Sequence, residues 1–249
     1  MKDRRYPPVA GMSAAGQTAV VQDIFTTVHG RYDFLNHFLS LRRDVGWRDA
    51  AVSRMRFPRT RRFLDVATGT ADLAIAAARR HDDIQVIGVD FAAPMLEVGR
   101  RKVREAGLDS RIELREADAL ALPFADGSFD VTAVAFGMRN IPDKGRALRE
   151  MARVTVPGGQ VMILEMTFAP TPLFRPMYHF YLVRLLPRVA RLFARNGAGY
   201  HYLSDSIRAF PAPAAFAAVM TEAGLRRVAW HRLTFGSAYL HVGLVSGGA

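Results

Sequence analysis

The residues with the most chemical reach in this chain are acids and hydroxyls gathered behind short apolar runs. Phe63, Leu64 and Val66 lead into Ala67-Thr68-Gly69-Thr70-Ala71-Asp72, and an alanine-rich stretch follows. A strand that breaks at a glycine turn and resumes as a helix places backbone N–H groups and short side chains together at one edge of a sheet, where a ligand can be cradled. A second apolar run at residues 86–89 closes on Asp90. That is about 20 residues past the turn, where the ribose-binding acid of a βαβ unit sits, and a carboxylate there accepts from both hydroxyls. A third acid, Asp118, follows the alternating run at residues 111–115. An ordinary strand-to-helix turn gives the same local pattern, so the surrounding elements must be read as well.

The glycine pattern narrows the ligand. A dinucleotide fingerprint uses three glycines so that a pyrophosphate can approach the backbone. Here only Gly69 is present, with Ala67 and Ala71 at the other two places. Pyrophosphate binding is therefore disfavoured, and a nucleoside cofactor without phosphate, such as S-adenosylmethionine, is compatible with the turn.

The elements that must position these residues alternate. Residues 1–18, rich in Pro, Gly, Ala and Arg, read as a flexible N-terminal arm. Residues 19–249 read as a single domain. Within it, residues 19–58 carry apolar positions at helical spacing (Val21, Ile24, Phe25, Val28, then Phe34, Leu35, Phe38, Leu39) and predict two or three short helices that pack as a lid over the ligand-binding end of the sheet. Strands are predicted at residues 129–136 and 160–165, with a helix from Asp143 to Val154 between them and a turn at Pro157-Gly158-Gly159. Residues 170–210 form a helical insertion. In it Tyr178, Leu182, Leu185, Val189 and Leu192 make one stripe and Arg184, Arg188, Arg191 and Arg195 another. That pairing suits a membrane interface and equally a core helix with a solvated basic face. A last helix ending at Gly224 precedes two β-rich runs that read as an antiparallel hairpin at the sheet edge. The fold class is α/β: a Rossmann-like, mostly parallel sheet with a C-terminal antiparallel hairpin and helical lid insertions.

Composition sets further bounds. The 249 residues suffice for one such domain and its core. The absence of cysteine excludes disulfides, thiolate metal sites and a cysteine nucleophile, and no metal is expected. The balance of 34 Lys+Arg against 23 Asp+Glu gives a net charge of +11, which favours an anionic partner, a lipid surface or a nucleic acid, or else is a solvated surface. The arginines are dispersed, so no nucleic-acid partner is expected. No apolar run is long enough to span a bilayer.

Taken together, DVATGTADLA, VIGVDFAAPMLEVGRRK, ADALALPFADGSFD, VAFGMRN, YHYLSDSIRAFP and LTFGSAYLHVGLV make the chain resemble the class I S-adenosylmethionine-dependent methyltransferases. Within that class it resembles the ubiquinone and menaquinone biosynthesis C-methyltransferases, over nearly its whole length. The resemblance implies a seven-stranded sheet and S-adenosyl-L-methionine as cofactor, with Gly69, Thr70 and Asp72 near its methionine part, Asp90 on the ribose, Asp118 and Ala119 at the adenine, and Ala135 packing against it. One departure stands out: the family usually has glycine at the position of Ala71, whose methyl is expected to crowd the methionine end.

The implied reaction is C-methylation of a polyprenyl quinol ring. An ortho phenolate attacks the sulfonium methyl in line, so a phenol that titrates near 10 must lose or share its proton. Arg139, in the loop of VAFGMRN, is the candidate cation for the oxyanion, acting directly or through a water. Tyr32 and Tyr202 are candidate hydrogen-bonding partners of the ring, and His201 and His241 candidate bases. The implied setting is cytoplasmic, peripheral to the inner face of a membrane with transient contact to anionic lipid, and a homo-oligomer is compatible with the sequence. A methyltransferase for another acceptor, or a cofactor-binding non-catalytic subunit of a quinone-synthesis assembly, are the alternative readings.

Overall fold

The computed structural model describes residues 40, 42–167 and 198–247, together with residues 11–13, 16, 19–21 and 23. Tyr32, the side chain of His201, most of the N-terminal arm and the arginine stripe of the insertion lie outside the described residues. In chain order the elements are α1 (Arg43–Val52), β1 (Arg62–Val66), α2 (Asp72–Arg80), β2 (Gln85–Asp90), α3 (Ala93–Glu105), β3 (Ile112–Glu116), β4 (Phe129–Ala135), α4 (Lys144–Val154), β5 (Thr155–Met166), α5 (Ala198–Ala209), α6 (Pro213–Glu222), β6 (Leu225–Leu233) and β7 (Ala238–Val245).

The strands form one seven-stranded sheet in the order β3-β2-β1-β4-β5-β7-β6. Strands β1 to β5 are parallel, and β7 runs antiparallel to both β5 and β6. The inner strands are apolar and buried almost throughout, as a parallel sheet covered on both faces requires, whereas edge strands β3 and β6 alternate or face water. One face is covered by α1, α2 and α3 through Trp47, Ala51, Leu73, Ala77, Leu96 and Val103. The other is covered by α4 and α6 through Leu148, Met151, Phe216 and Met220. The predicted hairpin is present, with β7 inserted beside β5 so that β6 forms the edge.

One expectation changes. The predicted turn at Pro157-Gly158-Gly159 is absorbed into β5, which starts at Thr155 and carries a bulge where its register with β4 jumps. The described part of the predicted lid includes Val21, which with Arg48 lines a cavity at the carboxyl ends of the strands, and α1, whose Ala51 and Val52 are buried in the same cluster as α2. Its Trp47 Nε1 donates to Thr234 Oγ1 at 2.8 Å, tying the helix to the turn between β6 and β7.

Candidate active site

The chain reverses its direction of sheet growth between β1 and β4, and such a switch point opens a crevice at the carboxyl ends of the strands. A cavity of about 240 Å³ lies there. Its walls among the described residues include all seven expected cofactor residues, Gly69, Thr70, Asp72, Asp90, Asp118, Ala119 and Ala135. They also include Arg48, Asp65, Phe91, Phe136 and Asn140, for which residue spacing gives no such expectation.

The turn after β1 takes its shape from three alternate residues in the left-handed region, Ala67 (φ 53°), Gly69 (φ 56°) and Ala71 (φ 67°). Only the glycine adopts it without strain, and each alanine costs about 1 kcal/mol there. Surrounding bonds hold the turn: Thr68 Oγ1 donates to Asp65 Oδ2 at 2.6 Å, Ala74 N to the same oxygen at 3.1 Å, and Gly69 N to Asp90 Oδ2 at 2.8 Å. Gly137, the glycine of VAFGMRN, completes the packing, since a Cβ there would sit 2.8 Å from the Ala67 methyl. The two motifs are thus one structure, pressed together across β1 and β4.

Ala71 does not crowd the cavity. Its side chain is fully buried and faces α3, where a methyl added at Gly99 would lie 3.4 Å from the Ala71 methyl. Nor does Asp72 cap α2. Ala71 holds the cap position, and the Asp72 carboxylate pairs instead with Arg48 Nη2 at 3.3 Å and with Lys102 Nζ.

Asp90 accepts from Gly69 N and, through Oδ1, from Ala92 N at 2.9 Å. Burial raises its pKa above the usual carboxylate range, against the pull of these amides. Asp65 is buried more deeply, and desolvation pushes its pKa up to about 7. Asp118 is exposed and accepts from Leu120 N at 2.9 Å, which shapes the loop beside Ala119.

Arg139 occupies a different position from the expected one. Its guanidinium is 2.5 Å from Glu165 Oε1, its backbone N–H donates to Oε2 at 3.1 Å, and both side chains are almost fully enclosed. Among the described wall residues it is Asn140, its neighbour in the short 3-10 helix Met138–Asn140, that reaches the cavity. Tyr202 is buried on α5, and its hydroxyl is 3.4 Å from Asn140 Oδ1. His241 is no base for this site. It lies on β7 against Phe216, its Nε2 is 3.1 Å from the Pro213 carbonyl, and burial lowers its pKa to about 4.

A site of this kind can hold a nucleoside. Asp90 takes the Gly69 and Ala92 N–H groups, with the Phe91 N–H also acting on it, and what remains of its roughly four acceptor directions is left for hydroxyls, while the wall beside it is largely apolar. The fold is that of the S-adenosylmethionine-dependent methyltransferases. A solved enzyme of this type from Thermotoga maritima superposes with a TM-score of 0.64 at 18% identity, covering 90% of this chain and 99% of that one. One from Aquifex aeolicus superposes with a TM-score of 0.58 at 14% identity, covering 80% and 89%. The chain belongs to the ubiE/COQ5 methyltransferase family, whose model matches residues 12–245. It is 45% identical to the demethylmenaquinone methyltransferase of Thermus thermophilus, over 88% of this chain and 99% of that protein. It is 42% identical to the ubiquinone/menaquinone biosynthesis C-methyltransferase UbiE of Geotalea daltonii, over 90% and 95%.

Proposed function

We propose that this chain methylates a ring carbon of a polyprenyl quinol, demethylmenaquinol or the equivalent ubiquinone precursor. The near full-length likeness to relatives bearing those names carries the reading. The cofactor supplies an electrophilic methyl on a sulfonium. A ring carbon ortho to a phenolate would form the new C–C bond as the C–S bond breaks, leaving the thioether S-adenosylhomocysteine, and that carbon would then release its proton to water to restore the aromatic ring.

The chain's own residues would hold and shield the reactants. Asp90 would bind the ribose, Asp118 and Ala119 would border the adenine, Gly69, Thr70 and Asp72 would lie near the methionine part, and Ala135 would pack against the cofactor. Asn140 lines the cavity beside β4, and its amide can donate to the phenolate oxygen. Arg139 would act at one remove: by binding Glu165 through side chain and backbone it sets the turn that presents Asn140, with Tyr202 bracing the amide from α5. Tyr32 remains a candidate for a second contact to the ring.

The deciding experiment offers methyl-labelled S-adenosylmethionine with demethylmenaquinol, the demethylated ubiquinol precursor and bulk RNA in parallel. Label in a quinol and none in RNA is expected. Label in RNA alone, or in nothing while the cofactor still binds, would overturn the reading. For the setting, we propose docking on the cytoplasmic face of a membrane through the arginine stripe at residues 184–195. Salt-sensitive binding to anionic vesicles and none to neutral ones is expected. No helix among the described residues is long and apolar enough to cross a membrane.

A further inference from the structure

Arg48 is a cation on the cavity wall with no part in the chemistry proposed so far. It projects from α1 with 7% of its surface exposed, and a charge so enclosed must be paired. Its surroundings hold it on two sides. The guanidinium lies over the Phe136 ring, 5.2 Å from the centroid, and its Nη1 contacts Asp44 Oδ2 at 2.5 Å. The third contact is looser: Nη2 is 3.3 Å from Asp72 Oδ2, longer than the roughly 2.7–2.9 Å of a close charge-assisted bond. Asp72 lines the same cavity and is also bound by Lys102, which reaches Thr70 Oγ1 at 3.2 Å.

We propose that the Arg48–Asp72 pair is the receptor for the zwitterionic amino-acid head of the cofactor, Arg48 taking its carboxylate and Asp72 its ammonium. The inference rests on S-adenosylmethionine being the cofactor. Sheet order supplies the first argument. Asp118 follows the end of β3, Asp90 ends β2, Gly69 and Thr70 follow β1, and Phe136 with Arg48 above it follows β4. These four adjacent strand ends span about 14 Å at the usual strand spacing, enough to lay out adenine, ribose and amino-acid head in that sequence.

Charge supplies the second argument. Among the described residues, Arg48 and Lys102 balance Asp44 and Asp72, and a zwitterion adds no net charge to these four groups. Opening the loose contact leaves Arg48 on Asp44 and Asp72 on Lys102, and the two inner faces that separate carry opposite signs.

The test compares S-adenosylhomocysteine, which keeps the head, with 5′-methylthioadenosine, which lacks it, by calorimetry on wild type and on Arg48→Met. The wild type is expected to prefer S-adenosylhomocysteine. The variant should lose about 10- to 100-fold in that affinity, the worth of hydrogen bonds to a charged group, while 5′-methylthioadenosine binds as before. An unchanged preference in Arg48→Met would overturn the inference, as would a wild type that binds both ligands equally. A wild type that binds neither would overturn the cofactor assignment itself. Should Arg48→Met fail to fold, Arg48→Lys keeps the charge but not the fork. It is expected to lose affinity for S-adenosylmethionine but not for decarboxylated S-adenosylmethionine, and equal losses for the two would refute the assignment.

Discussion

The two ends of the same sheet use the same side chain in opposite ways. At the amino end, Asp130 of β4 is fully buried and accepts from Arg59 N at 3.0 Å, Thr60 N at 2.7 Å, Thr60 Oγ1 at 2.9 Å and Arg61 N at 2.6 Å. At the carboxyl end, Asp90 accepts from Gly69 N and Ala92 N, and Asp65 takes its two bonds on one oxygen. The first acid is saturated by its own chain and fixes the entry into β1. The others shape a turn and keep acceptor capacity facing a cavity. A buried carboxylate is thus a structural or a binding group according to how many of its lone pairs the fold itself consumes.

That contrast can be broken first at the saturated end. Asp130→Ala strands three backbone N–H groups and is expected to cost on the order of 3 kcal/mol or more in urea unfolding, with cofactor affinity intact in the folded fraction. Arg139→Ala probes the turn beside the cavity. It should lower turnover by about 10² to 10³ while leaving S-adenosylhomocysteine affinity unchanged, and wild-type turnover would remove Arg139 from the reaction. Asp90→Asn is the mirror of the first: about 10² in cofactor affinity by calorimetry, with a loss of stability of about 1–2 kcal/mol, since one backbone N–H then faces the amide NH2. A large loss of stability instead would place Asp90 with Asp130.

Asp65 sharpens the comparison through pH. Its carboxyl keeps a proton in the folded protein up to about pH 7, whereas the unfolded chain loses it near the ordinary value of 3.8. The folded state therefore binds more protons in that window, and the contribution of Asp65 to stability falls as pH rises from about 4 to 7. Asp65→Asn should flatten that slope. A cationic cofactor favours the carboxylate, so binding at pH 6 should release a proton, seen as a buffer-dependent heat that Asp65→Asn lacks. The smallest effect is expected for Ala71→Gly. It relieves a left-handed alanine worth about 1 kcal/mol and removes a buried methyl worth about 0.8 kcal/mol, so stability should stay within about 1 kcal/mol. Cofactor affinity should not change, because the methyl faces Gly99.

Local signals make much of this molecule legible. The inner strands are unbroken apolar runs that end on acids, and the acids follow the spacing of a βαβ unit, so Gly69, Thr70, Asp90 and Asp118 can be placed from residue order alone. Contacts between distant segments cannot. Arg48 sits in a polar helix with no spacing relation to the turn, and only the packing of α1 on Phe136 brings it to the cavity. In the sequence Arg139 looks available because its partner lies 26 residues away, and the pairing of β4 with β5 is what sets Glu165 beside it. Asn140 stands next to it in VAFGMRN, but a neutral amide carries nothing that distinguishes it from a charged neighbour until the turn is folded. The direction of the Ala71 methyl depends on a backbone φ that a residue name does not reveal.

The bond from Trp47 to Thr234 joins residues 187 positions apart. A ribosome delivers the helix that carries Arg48 well before the turn that anchors it. At about 5–20 residues per second, α1 waits on the order of 10 seconds or more for its partner. The cavity wall thus becomes complete only after the β6–β7 turn has been made, which ties the birth of a binding-competent enzyme to the arrival of that hairpin.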